Sequence, residues 1–179
     1  MSTMDKGEIL KWNAKYDKKS TKSTIKEKEL GDKFRKTKTL TKADLIEIVW
    51  WKFELLKGRR DRILKYVEKN SDEEVGMCSQ VFNLTPSEES FRIGVLDNLY
   101  GVGPALASVV LTFYDPKNYG VFDIHVWREF FGKEPKNLFG TSSYYIRLLS
   151  ELRTIGNKYD LNARTVEKAY FTKNYENSQ

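Results

Sequence analysis

The run Leu99-Tyr100-Gly101-Val102-Gly103-Pro104 places a break in the chain that no regular element runs through. Gly101 and Gly103 permit backbone angles that a side chain would forbid, so the chain can reverse sharply there. Upstream, Phe91, Val95, Leu96 and Leu99 recur at helical spacing, which predicts an amphipathic helix over 86–99. Thr85-Pro86-Ser87-Glu88 is its start signal, with Thr85 as N-cap, Pro86 at the first helical position and Glu88 closing a capping box. Downstream, Leu106, Val109, Val110 and Phe113 give a second helix, opening at Pro104, where the missing N–H costs nothing. The prediction is helix, tight turn, helix. Unpaired N–H groups at the turn and at the second helix start form an anion site. A DNA phosphate suits it, because backbone amides bind phosphate without reading sequence. The same residues also suit a plain C-cap and a short connection.

The rest of the chain is helical by the same criterion. Thr41-Lys42-Ala43-Asp44 starts a segment with Leu45, Ile48, Val49, Phe53 and Leu56 on one side. Gly58 interrupts it, and a helix from Arg59 onward carries Ile63, Leu64, Tyr66 and Val67. Ser71-Asp72-Glu73-Glu74 is a further capping start. Tyr144 to Ile155 has a wide apolar stripe, and a last helix is expected from about Asn162 to Tyr170. No stretch alternates as a strand would. The expected fold class is all-α, a multi-helix body with room for two small helical lobes.

Twenty residues beyond Gly103 stands Asp123, in Val121-Phe122-Asp123-Ile124-His125-Val126-Trp127-Arg128. Asp is a favoured N-cap, and the apolar-rich residues that follow read as a helix. A carboxylate at a helix start can be both held in place and presented to a ligand. His125 is the only histidine. With no HxxxH pair and no Cys/His cluster around it, metal ligation is not expected. It either supports the Asp123 loop, touches DNA, or is a polar residue on a helix face. Arg128 either meets a phosphate or pairs with a neighbour such as Glu129 or Glu151.

These two motifs together resemble the helix-hairpin-helix superfamily of base-excision DNA glycosylases, the endonuclease III-like enzymes. Members carry a hairpin of the form LPGVGxxTA, then a helix, then a loop ending in VDTHVxR with an essential aspartate. Leu99-Tyr100-Gly101-Val102-Gly103-Pro104-Ala105-Leu106-Ala107 matches the first pattern, and Phe122-Asp123-Ile124-His125-Val126-Trp127-Arg128 the second. The resemblance implies DNA-backbone contacts from Tyr100, Gly101, Val102, Gly103 and Ala105. It also implies a catalytic Asp123. Cleaving an N-glycosidic bond builds positive charge on the deoxyribose, which a nearby carboxylate stabilises while orienting or deprotonating an attacking water. The base must leave the stack to be reached.

Two departures narrow what the resemblance implies. Members that also cut the backbone have a lysine two residues after the second hairpin glycine; this chain has Ala105, so no Schiff base forms at that position. Members with an iron–sulfur cluster use four cysteines; this chain has one, Cys78. The expectation is a monofunctional glycosylase without lyase activity and without cofactor or metal. Tyr100 replaces the usual proline before the hairpin.

Charge adds an uneven distribution. Residues 1–40 hold twelve Lys+Arg and six Asp+Glu, so the whole formal excess of +6 lies there. The segment reads as a basic N-terminal arm, partly helical or flexible, preceding a helical body over 41–179. Lysines interleaved with Ser and Thr can trail along a phosphate backbone. Trp12 and Tyr16, four apart, allow part of it to dock as a helix. No apolar run is long enough to span a membrane, and the start carries no signal-peptide pattern. An intracellular monomer working with DNA is expected.

Trp50, Trp51 and Lys52 are candidates for a flipped-base pocket, with Tyr114 as a further one: an aromatic face stacks on a base, and a cation reads a carbonyl. Tryptophans on an amphipathic helix are also ordinary core residues. Three functions stay open at this level: a glycosylase, a DNA-binding module in which Asp123 only caps a helix, and a helical protein-interaction module.

Overall fold

Most of the apolar spacings read from the sequence fall within helices. The computed structural model describes residues 4–83 and 89–178, and among them there are ten α-helices and no strand. They are α1 (Lys6–Lys19), α2 (Thr21–Thr37), α3 (Lys42–Lys52), α4 (Lys57–Val67), α5 (Asp72–Met77), α6 (Glu89–Asp97), α7 (Pro104–Tyr114), α8 (Ile124–Phe131), α9 (Ser142–Tyr159) and α10 (Ala163–Asn177). Short 3-10 turns follow α5 at Cys78–Asn83 and precede α9 at Leu138–Gly140. None of these helices is long and apolar enough to cross a membrane.

The centre is α7. Every side chain from Pro104 to Phe113 is buried, with α2, α3, α6 and α9 packed around it. A helix apolar on all sides must be enclosed on all sides. α2 comes closest: a Cβ on Gly31 would stand 2.5 Å from the Phe113 carbonyl oxygen. From the same helix, Arg35 Nη1 donates to the Phe113 and Tyr114 carbonyls at 2.7 and 3.1 Å, satisfying orphan acceptors at the α7 C-terminus.

Residues 6–37, expected as a basic arm, are two helices built into the body. Ile9, Leu30 and Phe34 are buried in the same apolar cluster as Tyr170, so both ends of the chain share one core rather than two lobes. α1 lies along α10. Four of the arm's lysines are committed to carboxylates: Lys15 and Lys19 to Glu176, Lys33 to Asp44, and Lys26 to Glu29 and Glu47.

Local start signals translate directly. Thr41 with Asp44 and Ser71 with Glu74 each form the reciprocal capping box. Three details differ from expectation. α3 stops at Lys52, so Leu56 is exposed, and Gly58 lies inside α4 instead of breaking a helix. Phe91 is exposed while Arg92 and Ile93 face inward. α10 runs on to Asn177, well past Tyr170. The start signal at 85–88 lies outside the described residues.

Candidate active site

The tight turn between α6 and α7 uses its two glycines differently. Gly101 has φ +80°, and a Cβ there would stand 2.9 Å from Tyr66 Cβ and 3.1 Å from the Val67 amide of α4. Only glycine meets both demands. Gly103 has an ordinary φ of −89° and serves as the N-cap of α7, with Pro104 at the first position. The turn is anchored by buried Asn70, whose side chain accepts from the Tyr100 amide at 2.8 Å and donates to the Tyr100 carbonyl at 3.0 Å. The Val102 amide donates to Leu99 O at 3.0 Å. The amides of Gly101, Gly103 and Ala105 have no hydrogen-bond partner among the described residues.

From α7 the chain returns to Asp123 along a pinned segment. Tyr145 Oη donates to Gly120 O at 3.0 Å, and the Phe122 amide donates to Ser108 Oγ of α7 at 2.8 Å. Asp123 is then the N-cap of α8, its Oδ1 accepting from the His125 amide at 3.0 Å. Its other oxygen is held from α3. Lys52 Nζ lies 2.9 Å from Asp123 Oδ2 and 3.1 Å from the Phe122 carbonyl. Burial pushes the Asp123 carboxyl up. The charge and hydrogen bond of Lys52, with the His125 amide, outweigh that and hold it below the usual aspartate value. The carboxylate is ionised at neutral pH.

Asp123 opens into a cleft of about 510 Å³ lined by the α1–α2 junction, the α3–α4 connection, the starts of α7 and α8, and α10. Of the residues singled out from sequence, Trp51, Lys52, Ala105, Asp123 and His125 line it together. Trp51 is locked: its Nε1 donates to Ser23 O at 2.9 Å, and its ring meets Phe113 edge-on at 4.9 Å. His125 Nδ1 is 2.9 Å from Asn174 Oδ1, and the ring packs against Phe171 and Tyr175. Ala105 brings the glycine turn to the cleft wall.

The other candidates lie elsewhere. Trp50 projects away from the cleft, half exposed under the Arg60 guanidinium at 3.9 Å, because adjacent helical residues point about 100° apart. Tyr114 packs on Phe82, and its hydroxyl donates to Phe82 O at 2.8 Å. Arg128 pairs through two nitrogens with Glu134, at 3.0 and 2.7 Å, and not with Glu129 or Glu151.

Part of the cleft wall is a buried ionic cluster that sequence reading missed. Arg164 of α10 pairs with Glu167 on its own helix and with Glu27 of α2 at 2.8 Å. Lys168 reaches Asp17 of α1 at 3.0 Å. Tyr16, Arg164 and Glu167 belong both to this cluster and to the cleft wall. The signal was present: Arg164, Glu167 and Lys168 interrupt the apolar face set by Ala163, Val166, Ala169 and Tyr170. The chain matches no known family model, no curated protein and no solved structure.

Proposed function

We propose that this chain is a DNA glycosylase of the helix-hairpin-helix kind, cleaving the N-glycosidic bond of a damaged or modified base turned out of the duplex. One observation carries the reading: Asp123, ionised and fixed by two partners, shares a cleft with the Trp51 ring and with Ala105, the residue that leads to the free amides of the glycine turn. The turn amides suit a DNA phosphate. The cleft volume suits one base, and Trp51 offers a rigid wall beside it. Asp123 then stabilises positive charge developing on the deoxyribose. Ala105 leaves the hairpin itself without an amine, so bond cleavage there is by water.

A second reading, a DNA-binding module without chemistry, is favoured by the fact that both Asp123 oxygens already have partners. Base release decides between them. Duplexes each carrying one modified or mismatched base are incubated with wild type and with Asp123→Asn, then treated with alkali. Asn keeps the cap but loses the charge. The expected outcome is alkali-dependent breaks from one lesion class, reduced by about 100-fold or more in the variant. Tight duplex binding without release by either protein establishes the module instead.

A further inference from the structure

His125 follows Asp123 by two residues, and its two ring nitrogens meet different surroundings. Nδ1 lies 2.9 Å from Asn174 Oδ1 of α10. The Asn174 amide is oriented from its other end: Nδ2 donates to Glu129 Oε1 at 2.9 Å, and a turned amide would set its oxygen against that carboxylate. Glu129 is held in turn by Lys173 at 2.9 Å. Asn174 therefore offers the ring an acceptor, and Nδ1 carries the hydrogen. In the neutral ring the lone pair is then on Nε2. Nε2 has no partner among the described residues, and the ring, set edge-on to Phe171 and Tyr175, lines the cleft. Asp123 is poorly placed to take up a proton itself. Its Oδ1 already accepts from the His125 amide, and a proton arriving on the carboxylate would work against the Lys52 ammonium 2.9 Å away that keeps it charged.

We propose that His125 Nε2 is the general base for the attacking water, leaving Asp123 charged throughout to stabilise the sugar. The C1′–N bond breaks and its electron pair leaves with the base. Water adds an oxygen lone pair to C1′, forming the C1′–O bond, and gives a proton to Nε2. The imidazolium then returns that proton through solvent to the departed base, so the base leaves neutral and His125 regains its starting tautomer. Asn174 is a positioning residue in this step. Its Oδ1 keeps the ring hydrogen on Nδ1 and the lone pair on the cleft side, and its hydrogen bond strengthens when the ring becomes cationic.

The proposal rests on the reading of the cleft as a glycosylase site. The substrate for its test is the duplex from which wild type releases base fastest in the panel above. Release is timed in single turnover with protein in saturating excess, and duplex affinity is measured separately. For His125→Ala the expected release rate is about 100-fold lower, with affinity within about threefold of wild type. Imidazole added at constant ionic strength should then raise the variant's rate by about 10-fold or more and leave wild type unchanged. The free ring takes the space left beside Asn174, Phe171 and Tyr175, whereas a purely structural loss is not repaired by a soluble base. An unchanged release rate, a loss confined to affinity, or a slowed variant that imidazole does not restore each overturns the proposal and leaves the glycosylase reading standing. Absence of release by wild type removes both together. Should His125→Ala not fold, Asn174→Ala decides. It frees Nδ1 from its acceptor and should slow release by about 10-fold or more at unchanged affinity, and an unchanged rate overturns the proposal.

Discussion

Asp123 holds a helix and presents a charge with the same carboxylate, and the two roles separate by substitution. Asp123→Ala removes the cap and leaves the Lys52 ammonium, 9 % exposed, without its counter-charge, and should cost about 3–5 kcal/mol in urea unfolding, whereas Asp123→Asn keeps the cap and should cost less. The pH dependence follows from the lowered carboxyl value. A carboxyl that titrates lower in the folded chain than in the unfolded one stabilises above the unfolded value, and that contribution fades as pH falls through the folded value. The stability gap between wild type and Asp123→Asn should therefore narrow as the solution is acidified below the ordinary aspartate value of 3.8. The glycines give a second contrast. Gly101→Ala meets both a positive φ and Tyr66 Cβ at 2.9 Å, and should lose about 1–3 kcal/mol in thermal unfolding. A Cβ on Gly103 meets nothing nearer than 3.9 Å, so Gly103→Ala should fold normally and, on the DNA reading, weaken duplex binding by crowding the free amides. The backbone demand at Gly101 and the capping role of Asp123 were legible in the sequence, whereas Gly103, expected to need a forbidden angle as well, has an ordinary φ of −89° and room for a Cβ. The Lys52 pair was not legible, because its partners stand 71 residues apart.

Among the elements, helix starts were read best, because caps act within one turn. Thr41, Ser71, Pro104 and Asp123 all stand where their chemistry placed them. Ends were read worst. Nothing local distinguishes Lys52 as the close of α3, since Phe53 continues the apolar spacing and is buried beyond the helix. The charged face of α10 was hidden for a related reason: its partners, Glu27 and Asp17, lie on helices that periodicity alone could not dock. That docking is strongly ionic. Arg164→Ala leaves Glu167 buried without its ion-pair partner and Glu27 with only Lys168 at 3.5 Å, and should lower unfolding free energy by about 3–5 kcal/mol in denaturant titration.

At the level of the whole molecule, the basic N-terminal segment carries structure as well as charge. A chain beginning at residue 41 loses Ile9, Leu30 and Phe34 from the core and uncovers α7. It should fail to give a cooperative calorimetric transition, an outcome a merely trailing arm would not produce. Lys18, Lys22 and Lys28 remain exposed and unpaired with any carboxylate among the described residues. On the DNA reading, replacing them with Ala should flatten the salt dependence of duplex binding by about one unit of log–log slope per lysine that meets a phosphate. The Asn70 clamp on Tyr100 carries a different lesson. The geometry of the glycine turn is dictated by a side chain 30 residues upstream, just beyond α4, which also sets the clearance at Gly101. Residues 99–107 are therefore no portable cassette: grafted onto another helical pair without Asn70 and α4, the same nine letters would keep their spelling and lose their shape.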